Sequence, residues 1–172
     1  MRRICLIVLV VVLVVPIAAS AAERAGDGSL AISGASGTIY IQGRGVVYGH
    51  FDQGTLMVLR YTPDDPSSVP SVSSSKARFS KGTGVFTASD VRFLLPSGRY
   101  TLELIASGVD VSAVGTGTVV ATSPSETGTV LPFGTAPNDG TISVNGGKPL
   151  TLTNASTSSS FGGLLTTTPS GK

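Results

Sequence analysis

One histidine, His50, and ten acidic side chains are the residues whose types could do acid–base chemistry in this chain of 172 residues. His50 stands in Tyr48-Gly49-His50-Phe51-Asp52, alternating with apolar neighbours just before Asp52-Gln53-Gly54. A Ser–His–Asp triad would have to run through it. The plainer reading is a strand-end histidine, hydrogen-bonded locally, and that is the expectation. Glycosidase-type chemistry needs two acids converging across a cleft. The acids are Glu23, Asp27, Asp52, Asp64, Asp65, Asp90, Glu103, Asp110, Glu126 and Asp139, and most fall where turns are expected. Asp110 lies in Gly108-Val109-Asp110-Val111, on the opposite face from its valine neighbours. Arg44, Arg92 and Arg99 are its candidate ion-pair partners, and a solvent-facing carboxylate on a one-sided sheet is the plainer alternative. The single cysteine, Cys5, rules out a disulfide within the chain and, beyond the N-terminal segment, a cysteine nucleophile. With His50 it is too little for a His/Cys zinc site, and no D-x-D-x-D-G calcium loop occurs. No catalytic, cofactor-binding or metal-ligating residues are therefore assigned, and no cofactor is expected.

Several motif fragments dissolve on inspection. Gly43-Arg44-Gly45-Val46-Val47-Tyr48-Gly49 has GxGxxxG spacing and runs into β-patterned sequence, with no helix to meet a pyrophosphate. It reads as a place where small residues let strands approach. Ser73-Ser74-Ser75-Lys76 meets S-x-x-K inside a serine run, without the S-D-N partner such enzymes need. Leu131-Pro132-Phe133-Gly134-Thr135 scrambles a sorting signal, and Asn154-Ala155-Ser156 is a sequon only for a eukaryotic secretory route.

The elements that would position these residues are short apolar runs of period two, divided by Gly, Pro, Asp, Asn and Ser. Leu30/Ile32, Ile39/Ile41, Val46–Tyr48, Leu56–Leu59, Val85-Phe86, Val91–Leu94, Tyr100–Leu104, Val109–Val111, Thr118–Val120, Ile142–Val144 and Leu150–Leu152 are the main ones. Their Val, Ile, Thr, Tyr and Phe content suits strands. Gly28, Gly37, Gly45 and Gly54 recur every eight or nine residues, as do Gly108 and Gly117. That interval predicts short antiparallel strands with tight turns, since parallel pairing needs long crossovers. Asn145-Gly146-Gly147 is a hairpin signal, and Asp52-Gln53-Gly54 and Pro137–Gly140 also read as turns. The expected fold is all-β over residues 24–152, an antiparallel sandwich of about ten short strands, with a barrel or β-solenoid as alternatives. Residues 62–75, rich in Pro and Ser, read as a surface loop in which Asp64-Asp65 make the turn. Residues 153–172, dominated by Ser and Thr, read as a disordered tail.

Residues 1–21 pattern as a signal peptide with an apolar helical core. Arg2-Arg3 precede an unbroken apolar run from Ile4 to Val15, Pro16 breaks it, and Ala19-Ser20-Ala21 offers a cleavage site. The competing reading is a retained anchor over residues 4–22, close to the length that spans a bilayer. The formal net charge of +2 comes from the two leader arginines, leaving ten basic and ten acidic residues in the rest. A neutral body argues against electrostatic binding of nucleic acid or anionic lipid.

The glycine-punctuated segments Gly43-Arg44-Gly45, Gly49–Gly54, Gly84-Val85-Phe86, Gly98–Leu102 and Gly108–Gly115 resemble those of a group of uncharacterised exported bacterial proteins. The resemblance covers about residues 28–122. It implies export and an all-β body, and carries no activity.

The expected function is non-enzymatic: a structural or binding β module, secreted or at the bacterial cell envelope. Neutral, hydroxyl-rich polysaccharide and protein are both candidate partners. For glycan stacking, with no tryptophan, only Tyr40, Tyr48, Tyr61 and Tyr100 are available in the body, and two coplanar exposed rings would favour it. Alternatives are a membrane-tethered ectodomain and a cell-wall-active enzyme working through His50, Asp52 and Asp110.

Overall fold

A computed structural model describes residues 26–73, 84–122, 140–152 and 156–163. The expected leader and the motif fragments at 74–76, 131–135 and 154–155 lie outside the described residues. The strands are β1 (Gly28–Pro63), β2 (Ser71–Val72), β3 (Gly84–Thr122), β4 (Thr141–Val144), β5 (Leu150–Thr151) and β6 (Thr157–Phe161). Every pairing among them is antiparallel, in one sheet of order β2-β3-β1-β4-β5 with β6 on β3. The described residues are all-β, as the period-two pattern predicts. The strands are not ten short ones, however: β1 has 36 residues and β3 has 39.

A strand as long as β1, at about 3.3 Å per residue, would extend roughly 120 Å if straight. That is several times the width of a domain of this size. Register shows how it is accommodated. Ile41 pairs with Leu102 on one edge and with Val119, seventeen residues further along β3, on the other. Leu56 likewise meets Phe86 and Leu104, eighteen residues apart. A strand can find the same partner on both edges only if the pair is wound back upon itself. The architecture is thus a two-stranded antiparallel ribbon coiled around one interior.

The glycine rhythm finds its meaning here. Gly28, Gly115, Gly45, Gly98 and Pro63 stand side by side across successive passes of the ribbon. Eight or nine residues away, Gly37, Ala106, Gly54 and Ala88 form a second row of small residues. The expected tight turns at Gly37, Gly45 and Gly54 are therefore corrected: β1 runs through all three without reversing. What the glycines permit is bending with close approach. A Cβ on Gly45 would strike the Val114 carbonyl oxygen, one on Gly115 the Arg44 carbonyl oxygen, and both residues sit at φ near +140°. No L side chain adopts that backbone cheaply. Asp52-Gln53-Gly54 is corrected in the same way. It lies within β1, with Asp52 and Gln53 both exposed between buried Phe51 and Gly54, a local break in alternation.

Alternation supplies the core. Leu30, Ile32, Ile39, Ile41, Val47, Phe51, Leu56 and Val58 of β1 point inward, as do Phe93, Leu95, Tyr100, Leu102, Leu104, Val109 and Val111 of β3. All belong to a single buried cluster. The Asn145-Gly146 hairpin forms as its sequence predicts, with φ of 52° and 66° and Gly147 N–H donating to Val144 O at 2.9 Å. Two expectations fail at the Ser-rich segments. Within 62–75, Ser71-Val72 pairs with Leu94 and Phe93. Within the tail, Thr157–Phe161 pairs with Gly117–Ala121, and Phe161 is fully buried. Strand addition to an existing edge needs few apolar side chains, because main-chain hydrogen bonds supply the template and one phenylalanine the anchor.

Candidate functional site: a graded strip on the outer face

The outward positions of two neighbouring passes bring a group of chemically capable side chains together. Along β1 they are Tyr48, His50 and Asp52; along β3, running the other way, Leu94, Arg92 and Asp90. Tyr48 is opposite Leu94 and His50 opposite Arg92. Asp52 and Asp90 fall together between the pairs Phe51–Val91 and Gln53–Ser89. The strip is graded: an apolar pair, then a basic pair, then an acidic pair.

Diagonal contacts join the basic and the acidic side chains of the strip. His50 Nε2 donates to Asp90 Oδ1 at 3.0 Å and lies 3.9 Å from Asp52 Oδ1. Arg92 Nε is 3.9 Å from the same Asp90 oxygen. The Asp90 and Asp52 side chains are 76% and 71% exposed, so these contacts are solvent-screened and leave lone pairs open. Asp90 also sits at φ 49°, a left-handed conformation rare for a residue with a side chain. Asp52 packs its carboxylate where a Cβ on Gly108 would be, which fixes its direction.

At the apolar end the strip opens into a groove of about 340 Å³, lined by Tyr48, Leu94, Arg92, Val72, Ser71 and Ser73 above Phe93. Tyr48 is 50% exposed and Leu94 38% exposed. Ser73 is clamped to the wall: Arg92 N–H donates to Ser73 Oγ at 2.8 Å, and Ser73 N–H donates back to Arg92 O at 2.9 Å. Strand β2 thus forms one wall of the groove. Gly49, beneath the strip, leaves the space that the Phe93 ring occupies, and that packing holds the floor.

His50 lies on the open outer face, and among the described residues no hydroxyl is hydrogen-bonded to it; its acid partner is Asp90. Asp110 is its neighbour on the other edge and pairs with none of the three candidate arginines. Asp110 Oδ1 instead accepts from Ser33 Oγ at 2.9 Å and from Gly34 N–H at 3.0 Å, tying a β1 irregularity in place. Arg44 pairs with Asp64 at 3.0 Å, and Asp64 also accepts from Ser97 Oγ, closing the end of β1 against β3. Asp65 makes the turn its position predicts. It accepts from the Ser67 N–H and hydroxyl, which hold its carboxyl below the usual carboxylate range. Asp90 and Leu94 were not legible as functional, because their value depends on a cross-strand register that sequence does not display.

Of the four tyrosines, Tyr61 and Tyr100 are core residues, and Tyr61 donates to Pro96 O at 3.0 Å. Tyr40 is half-buried and eight residues from Tyr48 along β1, across the bend at Gly45. A flat platform of two coplanar exposed rings is not formed. Among the described residues no group of His, Asp and Glu is arranged to hold a metal ion. No family model matches the chain, nor does any curated protein or solved structure.

Proposed function

We propose that this chain is an exported, non-enzymatic binding module of the bacterial cell envelope or medium, and that the graded strip is its contact surface. The observation that carries this reading is the strip itself. Six outward side chains of three chemical kinds are brought together by the antiparallel pairing of two passes, which sets Tyr48 opposite Leu94 and His50 opposite Arg92. Its chemistry favours contact over catalysis: the histidine is engaged by an exposed carboxylate on an open face. Arg2-Arg3, the Ile4–Val15 run and Ala19-Ser20-Ala21 support delivery outside the cytoplasm. We also place the two faces of the coiled ribbon as the two layers of a flattened sandwich, folded at the two small-residue rows.

Intact mass of the native protein, taken separately from medium and membrane fraction, tests delivery. A medium species beginning at Ala22 is expected. A full-length species confined to the membrane would instead make residues 4–22 an anchor. Photo-crosslinking from position 48 in producing cells tests the surface. Adducts from position 48 that are missing from position 118 are expected, and equal labelling from both would overturn the assignment of the strip.

A further inference from the structure

The strip has an order of chemistries that selects a ligand class. An anion would have to approach Asp52 and Asp90 at an electrostatic cost, and what a cation gains there is small, because both carboxylates are more than two-thirds exposed and Arg92 lies beside them. A neutral group that both donates and accepts hydrogen bonds meets no such cost. The exposed carboxylate oxygens accept, the guanidinium Nη groups of Arg92 donate, and the Ser71 and Ser73 hydroxyls do either. Beside them, Tyr48 and Leu94 offer an apolar surface one ring wide. Vicinal hydroxyls flanking a face of aliphatic C–H groups are the defining chemistry of a pyranose.

We infer that the Tyr48–Leu94 groove and the adjoining His50, Arg92 and Asp90 form a subsite for one pyranose unit of a neutral glycan. The sugar's C–H face stacks on Tyr48 while its vicinal hydroxyls bridge Arg92 and Asp90. This inference rests on the binding-module reading and deepens it. One exposed ring in a groove of about 340 Å³ suits a single sugar unit, such as a chain end or a branch. A flat polymer face would need the second coplanar ring that the fold does not provide. Asp90 is the specificity-determining acceptor, since its left-handed backbone aims a carboxylate that also holds His50.

The test is titration of the full exported chain with neutral glucose-, galactose-, mannose- and N-acetylglucosamine-based oligomers of one to four units. Galacturonate and glucosamine oligomers serve as charged comparisons. Saturable binding of at least one neutral series is expected, with affinity levelling off after one or two units. Tyr48→Ala and Asp90→Asn should each weaken it at least tenfold, while Tyr40→Ala holds it within about twofold. Circular dichroism of each variant confirms that the fold is retained. Absence of binding to every neutral series, preference for a charged series, or indifference to both Tyr48→Ala and Asp90→Asn would each overturn the inference. Crosslinks to a protein partner from position 48 with no sugar binding would remove the glycan and leave the wider binding reading standing.

Discussion

Tyr100 carries a side-chain oxygen that is buried and has no hydrogen-bond partner in the fold. It points beneath Gly43, where a Cβ would come within 3.1 Å of the hydroxyl. Leaving a buried hydroxyl unsatisfied costs about 1–3 kcal/mol, so Tyr100→Phe is expected to raise stability by about 1 kcal/mol in urea unfolding. The same burial pushes the Tyr100 phenol well above its ordinary value of 10.0, and burial with the neighbouring Asp64 raises Tyr61 as well. The folded protein therefore holds these protons more tightly than the unfolded chain does. Their contribution is complete below pH 10 and is lost as pH rises towards the folded values, by up to about 1.4 kcal/mol per pH unit for each group. Tyr100→Phe should flatten that alkaline loss, leaving the part due to Tyr61. Asp90 offers a complementary case, because its left-handed φ of 49° is a cost that glycine would not bear. Asp90→Gly should leave stability unchanged or raise it by up to about 1 kcal/mol, while removing the acceptor from the strip. A stability loss above about 1 kcal/mol would mean that the His50–Asp90 contact is chiefly structural.

At the scale of elements, two kinds of glycine can be separated. Gly115 has φ 141° and a neighbouring backbone where its Cβ would go, whereas Gly146 has φ 66° and open space around it. Gly146→Ala should cost about 1 kcal/mol, for the left-handed backbone alone. Gly115→Ala should cost several times more, because Arg44 and Gly45 must also move; equal losses in thermal unfolding would refute the bend as drawn. The contrast marks what the sequence discloses. Asn145-Gly146 is legible because a hairpin is local: its two residues and flanking apolar pairs settle it. Gly28, Gly37, Gly45 and Gly54 are visible as a period, but their role depends on Gly98, Ala106 and Gly115, which lie beside them only after the ribbon coils. A turn and a continuous bend use the same residue, so the period alone predicts the wrong one. The tail fails for a related reason. Its composition is that of a disordered segment, yet Thr157–Ser160 need only main-chain bonds to the Gly117–Ala121 edge, and Phe161 anchors them. Phe161→Ala should cost about 3–5 kcal/mol. It should also expose the β6-facing amides of Gly117–Ala121 to hydrogen exchange.

For the whole molecule, the coil makes β1 and β3 mutually dependent. Half of β1 is paired with β3 on both edges, and Leu30–Ile32 lie between β3 and β4; a chain ending at Pro63 has neither partner. Half of the ribbon therefore cannot be stable alone, since its inward Ile39, Ile41, Phe51 and Leu56 share one core with Phe93, Leu95, Leu102 and Leu104 of β3. The pairings also join residues far apart in sequence, from Val58 with Gly84 to Gly28 with Gly115, so loop-closure entropy must be met before much native contact is gained. Refolding is expected to be slow for this size, in milliseconds to seconds, with tyrosine fluorescence and circular dichroism following one transition. Cleavage between β2 and β3 gives a sharper test. The fragment before the cut should be unstructured by itself, and so should the fragment after it. Mixed at micromolar concentration, the two should restore the β spectrum with second-order kinetics. A stable isolated N-terminal fragment would mean that β1 closes on itself, and the winding inferred from its double register would be wrong.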